Sequence, residues 1–455
     1  MQIIKIYNSL KRRKEIFKPQ KDKIVKMYVC GPTVYGPSHL GHAVTYVRFD
    51  FIRRFLEFMG FKVKFVMNIT DVHDDIFKKA KELKIHPKKL ADRYTKEFYK
   101  DLESLKIKKA FKYPRVSEHI KEIISLIKIL LNKKYAYESN DGVYFDISKF
   151  KNYGKLSGRK LDKAKTGTRI RTDKYEKEEV VDFALWKKSL SSKDEWLFDS
   201  PWGKGRPGWH IECSAMSYKY LGIPLDIHGG GMDLIFPHHE NEIAQSESAF
   251  GKKFVNYFLH SGLLYINGKK MSKSLGNYIE LRDFIKKYPA RFLRFFILAH
   301  HWRSIINIDE KSLNDLWNKY FKINEFLQKI EIKKDLKKND KDVKILKEKI
   351  FKALKDDLNS SNVINYILEF IKKKENDEAI DKKNIKKLFK DLDKFFLCFY
   401  PWKKIDKKTM MLIKKRERLR KEKKFNEADK IREDLKNKFI YLQDLKQTQS
   451  IIQLQ

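Results

Sequence analysis

Cysteine is scarce in this sequence, which has only Cys30, Cys213 and Cys398 among its 455 residues. Three widely separated cysteines cannot form the disulfide framework of a small secreted domain. Their scarcity excludes that class of protein and indicates a reducing compartment.

Long hydrophobic runs are also missing. The longest apolar stretch, 123–131, is interrupted by Lys128, and it is shorter than the roughly 20 residues that a membrane span requires. The basic run 11–14 near the start is not followed by the apolar segment of a signal peptide. We therefore expect a cytoplasmic protein that does not associate with a membrane.

Acidic residues are too few to balance the basic ones: 60 Asp and Glu stand against 100 Lys and Arg, for a formal net charge of +40. Such a charge favours a polyanionic partner, nucleic acid above all. A genome biased toward lysine would give the same composition, so charge alone does not identify the partner. Hydrophobic residues make up 42% of the chain, which is enough for folded cores.

A strand–helix–strand pattern opens the chain. The runs 27–30 and 62–69 predict strands, and the helical spacing of apolar residues in 44–59 predicts a helix between them. This is the βαβ unit of a parallel sheet, in which ligands bind beyond the carboxyl ends of the strands. Cys30 and Asn68 fall at such ends.

A second α/β stretch follows a charged, mixed segment, and helical spacing dominates after it. We predict an α/β fold: a Rossmann-like parallel sheet split by an insertion, followed by an α-helical bundle and a small basic C-terminal domain. The predicted divisions are the first half of the sheet domain at 1–120, an insertion at 121–205, the second half at 206–265, a junction at 266–315, a helical bundle at 316–400 and a basic domain at 401–455.

Two short motifs have the chemistry to bind nucleotide phosphates. In His39-Leu40-Gly41-His42, two imidazoles flank a glycine at a predicted helix start, where the helix dipole favours an anion. In the lysine-rich loop 269–277, the ammonium groups of Lys270 and Lys273 could hold a triphosphate. Either motif taken alone could equally be an ordinary loop histidine pair or a solvated lysine run.

Four residues form a candidate metal site. Cys30 and Cys213 lie at the ends of predicted sheet segments, and His238 and Glu242 lie four residues apart on one face of a predicted helix. Two thiolates, an imidazole and a carboxylate are a plausible tetrahedral zinc set. The sequence has no C-x-x-C motif, so buried apolar cysteines beside a surface His–Glu pair are the open alternative.

The H-x-G-H and K-M-S-K-S motifs on a divided parallel sheet together resemble the class I aminoacyl-tRNA synthetases. Three further segments narrow the resemblance to the cysteinyl-tRNA synthetase family. They are M-Y-V-C-G-P-T-V-Y at 27–35, G-R-P-G-W-H-I-E-C-S at 205–214 and F-P-H-H-E-N-E at 236–242. The resemblance runs from about residue 3 to residue 435 and so covers most of the chain.

The resemblance implies roles for residues at matching positions. The catalytic set is His39, His42, Lys270 and Lys273. The ATP-binding set is Gly31, Thr33, His39, Gly41, His42, Gly230, Asp233 and Lys273. The substrate-binding set is Cys30, Thr70, Trp209 and His228. One Zn²⁺ per chain would be held by Cys30, Cys213, His238 and Glu242, and Mg²⁺ would accompany ATP.

The implied reaction is the ligation of L-cysteine to tRNA(Cys) by a monomeric enzyme. The cysteine carboxylate attacks the α-phosphorus of ATP, pyrophosphate leaves, and the cysteinyl group passes to the 3′ end of the tRNA. A shaped pocket separates cysteine from serine by only about 1–3 kcal/mol, whereas zinc bonds a thiolate readily. The resemblance therefore implies that the metal selects the substrate.

Two alternatives share these motifs. A ligase that joins cysteine to an amino-sugar would not need the basic segment 401–455, in which 17 Lys and Arg stand against 8 Asp and Glu. A non-catalytic tRNA-binding relative would have lost one of the two nucleotide motifs. The chain also departs from the family pattern in two places. His73 and Asp75 replace the residues that are usual in the family, and the Gly-Thr-x-Trp ending that is common in the family is missing after Asp444.

Overall fold

The computed structural model describes residues 3–159, 169–170, 181–189, 196–271, 276–330, 333–336, 340–399, 406–437, 440–444 and 449–453. The strands are β1 (Lys5–Asn8), β2 (Arg13–Ile16), β3 (Ile24–Val29), β4 (Lys62–Met67), β5 (Ala136–Ser139), β6 (Gly142–Phe145), β7 (Arg169–Ile170), β8 (Asp182–Lys188), β9 (Gly205–Pro207), β10 (Leu225–Gly231), β11 (Val255–Ser261), β12 (Leu264–Ile266), β13 (Lys269–Lys270), β14 (Ile306–Ile308), β15 (Lys334–Asp335), β16 (Ala379–Ile380), β17 (Ile440–Asp444) and β18 (Gln449–Gln453). The helices are α1 (Leu40–Phe58), α2 (Asp74–Glu82), α3 (Pro87–Ser104), α4 (Ile120–Asn132), α5 (Trp209–Leu221), α6 (Glu240–Phe250), α7 (Leu281–Lys287), α8 (Ala290–Leu298), α9 (Glu310–Lys329), α10 (Lys341–Lys355), α11 (Ser360–Lys374), α12 (Lys382–Phe396), α13 (Lys407–Lys421) and α14 (Phe425–Lys436). None of these described helices has both the length and the apolar character needed to cross a membrane.

The chain forms two compact units. The first comprises Met1–Glu103, Ile107–Leu263 and Arg303–Ile305. The second comprises Ser104–Lys106, Leu264–Trp302 and Ile306–Gln455. The six-part division from the sequence stays a prediction.

A four-stranded parallel sheet forms the centre of the first unit, in the order β11-β10-β3-β4. β3 and β4 come from the first α/β stretch of the sequence, and β10 and β11 come from the second. The predicted α/β class with a divided parallel sheet is therefore confirmed. Because the carboxyl ends of parallel strands meet at one edge, residues 30, 68 and 231 are brought to the same end of the sheet.

The predicted bounds of the first βαβ unit need small corrections. β3 begins three residues earlier than predicted and ends at Val29, and β4 ends at Met67 rather than at residue 69. α1 starts at Leu40 rather than at residue 44, because the His39 side chain caps its amino end. It ends at Phe58 and is followed by Gly60, whose φ of 95° is in the left-handed region.

A second sheet of the first unit lies in sequence between β4 and β10. Its strands run β5-β6-β8-β7, and β9 pairs with β8. Apolar side chains of this sheet belong to the same buried cluster as those of α4 and α5, among them Phe145, Leu126 and Ile211. The backbone N–H of Gly208, just before α5, donates to the carbonyl oxygen of Leu185 in β8 at 2.9 Å, so this sheet holds the start of the helix that carries Cys213.

The second unit is mainly helical, as predicted, but it is not free of strands. β12 pairs with β13 and with β14, and β17 pairs with β18. The basic end of the chain has a small core of its own, formed by Ile413, Leu435, Ile440 and Leu442. The strand β17 is also anchored to α9, since the ring of Tyr441 lies 5.6 Å from that of Trp317.

Candidate metal and nucleotide site

Four buried side chains bring their potential ligand atoms together at the carboxyl end of the central sheet. Cys30 follows β3, Cys213 lies on α5, His238 lies in the turn before α6, and Glu242 lies on α6. Their ligand atoms all lie within 4.8 Å of one another. The Sγ atom of Cys30 is 3.8 Å from the Sγ atom of Cys213 and 3.8 Å from Oε1 of Glu242, which in turn is 3.0 Å from Nε2 of His238.

This spacing fits a metal ion. Zinc bonds of about 2.0–2.3 Å in a tetrahedron put neighbouring ligand atoms roughly 3.3–3.8 Å apart. The donor types are those that zinc prefers, and their burial excludes competing water. The sequence placed His238 and Glu242 on one helix, whereas His238 belongs to a wider turn, Ile235–His239, that precedes α6. The two side chains still meet.

Contacts within the cluster and with His228 change the pKa values of Glu242 and Cys213. Burial acts to raise the pKa of the Glu242 carboxyl, but the imidazoles of His228 and His238 outweigh it and lower that pKa to about 2. Burial also acts to raise the pKa of Cys213, but its hydrogen bonds with Cys30 and His238 lower it to about 6. Burial and the neighbouring Cys213 raise the pKa of Cys30 well above its ordinary value, so Cys213 loses its proton more readily than Cys30 does.

His238 is held in position for a ligand through its second ring nitrogen. Its Nδ1 lies 2.9 Å from Nδ1 of His210, so its Nε2 faces Glu242. A partner on the outer nitrogen is the usual way in which a protein orients a metal-binding histidine. Burial lowers the pKa of His210 well below its ordinary value, so this supporting ring is neutral.

A second combination of the same region also satisfies the distances for a metal site: Cys30 and Glu242 with His228 and His239. In this set, Nε2 of His228 lies 2.8 Å from Oε2 of Glu242, and its Nδ1 lies 3.2 Å from the carbonyl oxygen of Tyr28. The ring nitrogens of His238 have comparable partners, so the two sets differ in their donor atoms rather than in the freedom of their histidines. The set with Cys213 and His238 supplies a second thiol, and it matches the preference of zinc more closely.

Polar and aromatic groups surround the cluster. The hydroxyl of Thr70 donates to Oε2 of Glu212 at 3.1 Å and accepts from Nδ2 of Asn68 at 3.1 Å. The ring of Trp209 lies 4.4 Å from that of His238 and so covers one of the four candidate ligands. Trp209 and His228 thereby contact the cluster, through His238 and Glu242. Thr70 is held by Glu212, which precedes Cys213 in the sequence.

The loop after β3 passes very close to the loop after β4. The backbone N–H of Gly31 donates to Oδ1 of Asn68 at 2.9 Å, and a Cβ atom on Gly31 would lie 1.7 Å from the carbonyl oxygen of Asn68. Thr33 pairs with Thr70 in a short parallel bridge. Only glycine fits at position 31 without moving this loop.

The two histidines of the H-x-G-H motif lie at the amino end of α1. Nδ1 of His39 accepts from the backbone N–H of His42, and Nδ1 of His42 accepts from the backbone N–H of His39. The rings are stacked with centroids 3.7 Å apart. Gly41 is in the first turn of the same helix. This end of α1 has the dipole and the imidazoles expected of a phosphate site.

The remaining nucleotide candidates are placed as follows. Gly230 is the penultimate residue of β10 and lies close to a side chain, since a Cβ atom there would lie 2.7 Å from Cδ1 of Leu234. Asp233 is in the short turn Met232–Leu234. Lys270 lies exposed at the end of β13 in the second unit. Lys273 lies outside the described residues.

Several residues of this region were not singled out from the sequence. His239 lies with Nε2 3.4 Å from Sγ of Cys30, and its Nδ1 lies 2.8 Å from Nε2 of His260. His210 supports His238, and Glu212 accepts from Thr70. His210 directly follows Trp209 in the sequence, Glu212 directly precedes Cys213, and His239 directly follows His238. Proximity to a candidate ligand was therefore the available signal.

Comparison with known proteins agrees with this geometry. The family profile described as "tRNA synthetases class I (C) catalytic domain" matches residues 16–318. The chain is 46% identical to the cysteine–tRNA ligase of Thermococcus gammatolerans, over 98% of both chains, and 42% identical to that of Methanococcus maripaludis, over 97% of both.

Among solved structures, the chain is similar to a Mycobacterium tuberculosis methionyl-tRNA synthetase in complex with methionyl-adenylate. The TM-score is 0.60 at 15% identity, covering 83% of this chain and 88% of the other. At this identity the likeness shows the fold alone. The near full-length relatives and the profile show more: the chain belongs to the cysteine–tRNA ligase family of class I aminoacyl-tRNA synthetases, enzymes that form aminoacyl-tRNA.

Proposed function

We propose that this ligase activates L-cysteine with ATP as cysteinyl-adenylate and selects cysteine with one Zn²⁺ bound by Cys30, Cys213, His238 and Glu242. The observation that carries the proposal is the mutual approach of these four buried ligand atoms, within 4.8 Å. Four protein ligands fill a tetrahedral zinc site, so the substrate thiolate would be an additional ligand, which catalytic zinc sites can accept. Bound zinc would add affinity for cysteine through the soft thiolate of its side chain, whereas serine offers only a hydroxyl group.

The residues around the cluster would orient the amino acid. Trp209 covers His238 and forms an aromatic wall, while the Thr70 hydroxyl, held by Glu212 and Asn68, would contact the polar end of the substrate. His228 holds the Glu242 carboxylate at 2.8 Å and so keeps it directed at the cluster. These contacts leave little freedom for the substrate side chain, as positioning for attack requires.

ATP would bind across the start of α1. The N–H groups of this helix end and the imidazoles of His39 and His42 would stabilise the α-phosphoryl group as charge develops on it. Gly31, Thr33, Gly41, Gly230 and Asp233 would line the nucleotide site. Lys270 and Lys273, with Mg²⁺, would hold the β- and γ-phosphates.

The reaction then needs no covalent enzyme intermediate. The substrate carboxylate attacks the α-phosphorus, pyrophosphate leaves, and the 3′ ribose hydroxyl of tRNA(Cys) takes the cysteinyl group while AMP departs. The exposed basic side chains of α13 and α14 would contact the phosphates of the tRNA. Substrate positioning and charge stabilisation are the contributions expected of the enzyme.

ATP–pyrophosphate exchange measured with cysteine and with serine tests the proposal. We expect exchange with cysteine and almost none with serine. Cys213→Ser should reduce exchange with cysteine by at least about 100-fold, as expected when a ligand that sets substrate position is lost. Cys398→Ser is the matched control, because Cys398 is also buried but belongs to the second unit. Equal exchange in wild type and Cys213→Ser would overturn the proposed metal role.

A further inference from the structure

A short segment of the first unit, residues 153–159, is bonded to the part of the chain that carries two of the four proposed zinc ligands. We call this segment the strap. It follows the turn Ile147–Lys149, and its partners lie in the turn Ile235–His239 and on α6. The proposed reaction uses none of the residues of the strap.

The side chain of Glu240 makes the main connection. Its Oε1 accepts from the backbone N–H of Gly154 at 2.9 Å. Its Oε2 accepts from the backbone N–H groups of Leu156 at 3.1 Å and Ser157 at 2.7 Å. Glu240 is fully buried, and both of its acceptor oxygens are engaged by backbone donors. This three-point contact joins the strap to the first turn of α6.

Two further contacts lie on either side of Glu240 in the sequence. The Tyr153 hydroxyl donates to Oδ1 of Asn241, which is also fully buried. The guanidinium of Arg159 lies 4.3 Å from the centre of the Phe236 ring, in the turn before α6. The strap is therefore bonded to the turn before α6 as well as to the start of the helix.

Glu240 lies between two proposed ligands in the sequence but faces away from them. His238 precedes it by two residues and Glu242 follows it by two. Successive residues of a helix are about 100° apart, so the side chain of Glu240 is turned by roughly 200° from that of Glu242. A movement of the first turn of α6 would nevertheless displace both ligands together.

The strap has a tight turn that presents its N–H groups. The carbonyl oxygen of Gly154 accepts from the N–H of Gly158 at 2.7 Å, and Gly154 has a φ of 89°. A Cβ atom on Gly154 would lie 1.8 Å from the carbonyl oxygen of Arg159. Only glycine fits there without opening the turn. The donors that bind Glu240 are therefore held in place before the carboxylate contacts them.

We propose that Glu240 is a positioning residue for the zinc site, because it holds the first turn of α6 against the strap and so keeps His238 and Glu242 at the separation that the metal needs. The inference rests on the zinc site proposed above and adds a residue that does not contact the metal. Ligands must be held to within about 0.5 Å, and groups behind the ligands commonly supply this constraint.

A purely structural role is the alternative, in which Glu240 merely satisfies the donors of a loop. Asp226 provides the matched control. It is 1% exposed, its Oδ1 accepts from the N–H of Gln20 at 2.8 Å, and its Oδ2 accepts from the N–H of Lys26 at 2.8 Å. It lies near the amino end of β10, whereas the ligands lie at the carboxyl end of the sheet. In both Glu240→Gln and Asp226→Asn, an amide group would face a backbone N–H that it cannot accept from with its nitrogen.

The zinc affinity of the full chain, measured by competition with a chromophoric chelator, tests the proposal. We expect Glu240→Gln to bind zinc at least about 10-fold more weakly than wild type, as is typical when a group behind the ligands is lost. Asp226→Asn should change the affinity by less than about 2-fold. With Co²⁺ in place of zinc, the thiolate-to-cobalt absorption should shift or weaken in Glu240→Gln and stay unchanged in Asp226→Asn. Melting temperatures of both variants measure the loss of stability separately.

Gly154→Ala tests the same contact from the strap, without changing Glu240. The added Cβ atom would open the turn, so the zinc affinity should fall as it does in Glu240→Gln. Gly60→Ala is the control, because its φ of 95° gives similar backbone strain and its Cβ atom meets nothing within 4 Å. The double variant of Glu240 and Gly154 should bind zinc no more weakly than the weaker of the two single variants, because both changes break one contact.

The outcomes separate a failure of this inference from a failure of the zinc site. A wild-type chain that binds no zinc would overturn both. Zinc binding by the wild type, with the same affinity in Glu240→Gln as in Asp226→Asn or with additive losses in the double variant, would overturn the role of Glu240 alone. If Glu240→Gln melts too early for titration, Tyr153→Phe takes its place, since it removes only the hydroxyl that donates to Asn241. Unchanged zinc affinity in Tyr153→Phe would then overturn the inference, and a loss of several-fold would support it.

Discussion

The Sγ atoms of Cys30 and Cys213 lie 3.8 Å apart although 183 positions separate the two residues in the sequence. The fold creates this contact, because β3 ends at the sheet edge against which the amino end of α5 packs. Cys398 has no part in it and belongs to the second unit. The chain therefore contains two thiols suited to a metal and one that serves as an internal control.

Metal content is the most direct prediction from this contact. We expect the purified wild-type protein and Cys398→Ser to contain about one zinc per chain, and Cys213→Ser to contain much less. Loss of a thiolate ligand weakens a zinc site strongly, because zinc–thiolate bonds supply much of its affinity. Elemental analysis after dialysis measures this content. Full zinc retention in Cys213→Ser would exclude Cys213 as a ligand.

Gly31→Ala should disturb the loop that carries Thr70. The added Cβ atom would lie 1.7 Å from the Asn68 carbonyl oxygen, so the two loops must move apart. We expect a loss of about 1–3 kcal/mol in the free energy of unfolding, typical of overpacking, and a higher KM for cysteine. Urea unfolding and exchange kinetics measure these two effects.

Gly251→Ala is the control for that substitution, because a Cβ atom there meets no other atom within 4 Å. It should cost stability only through its left-handed φ of 63° and should leave the KM for cysteine unchanged. A KM that rises equally in both variants would contradict the role given to the Gly31–Asn68 approach.

Asp74→Asn should destabilise the protein by removing the partner of a buried lysine. The side chain of Lys187 is 3% exposed, and its Nζ lies 2.8 Å from Oδ2 of Asp74. Because the Asp74 side chain is itself 41% exposed, solvent screens the pair, and we expect a loss of only about 1–2 kcal/mol. Glu82→Gln breaks the exposed pair with Lys79 on the same helix and should change the free energy of unfolding little.

The same pair predicts a pH dependence. Burial acts to raise the pKa of Asp74, but the Lys187 ammonium outweighs it, and the pKa is lower than usual. A lowered pKa stabilises the folded state above the ordinary pKa of Asp, and this contribution disappears as the pH falls through the folded value. The difference between wild type and Asp74→Asn in urea unfolding should therefore shrink between about pH 5 and pH 3. A constant difference would contradict the ion pair.

The sequence was most informative where residues with reactive or polar side chains fall at the ends of predicted strands. The alternation in β4 and the helical spacing in α1 predicted the βαβ unit, and the ends of its strands directed attention to Cys30 and Asn68. The bounds shifted by a few residues because caps and turns decide them. His39, for example, caps α1 with its side chain, which apolar spacing does not reveal.

Contacts between distant segments could not be predicted in this way. No periodicity places Nδ1 of His210 2.9 Å from Nδ1 of His238, or Thr70 against Glu212. Both contacts depend on how α5 packs against the sheet and against the turn before α6. The sequence supplied the candidate ligands, and tertiary packing supplied the residues that support them.

The basic helix α13 yields the last prediction, which uses point substitutions rather than truncation of the chain end. Deleting 401–455 would remove Tyr441 from its contact with Trp317 and would expose the Trp317 ring, so lost activity could reflect lost packing.

Lys414, Lys415 and Arg418 are exposed on α13, and their replacement by alanine leaves the small core intact. If they contact tRNA phosphates, the triple variant should keep its melting temperature and its ATP–pyrophosphate exchange. Its KM for tRNA(Cys) should rise by about 10-fold and should depend less steeply on salt, because each lost phosphate contact lowers the salt slope by roughly one. Charging kinetics at several salt concentrations measure this, and an unchanged KM and slope would refute tRNA binding by α13.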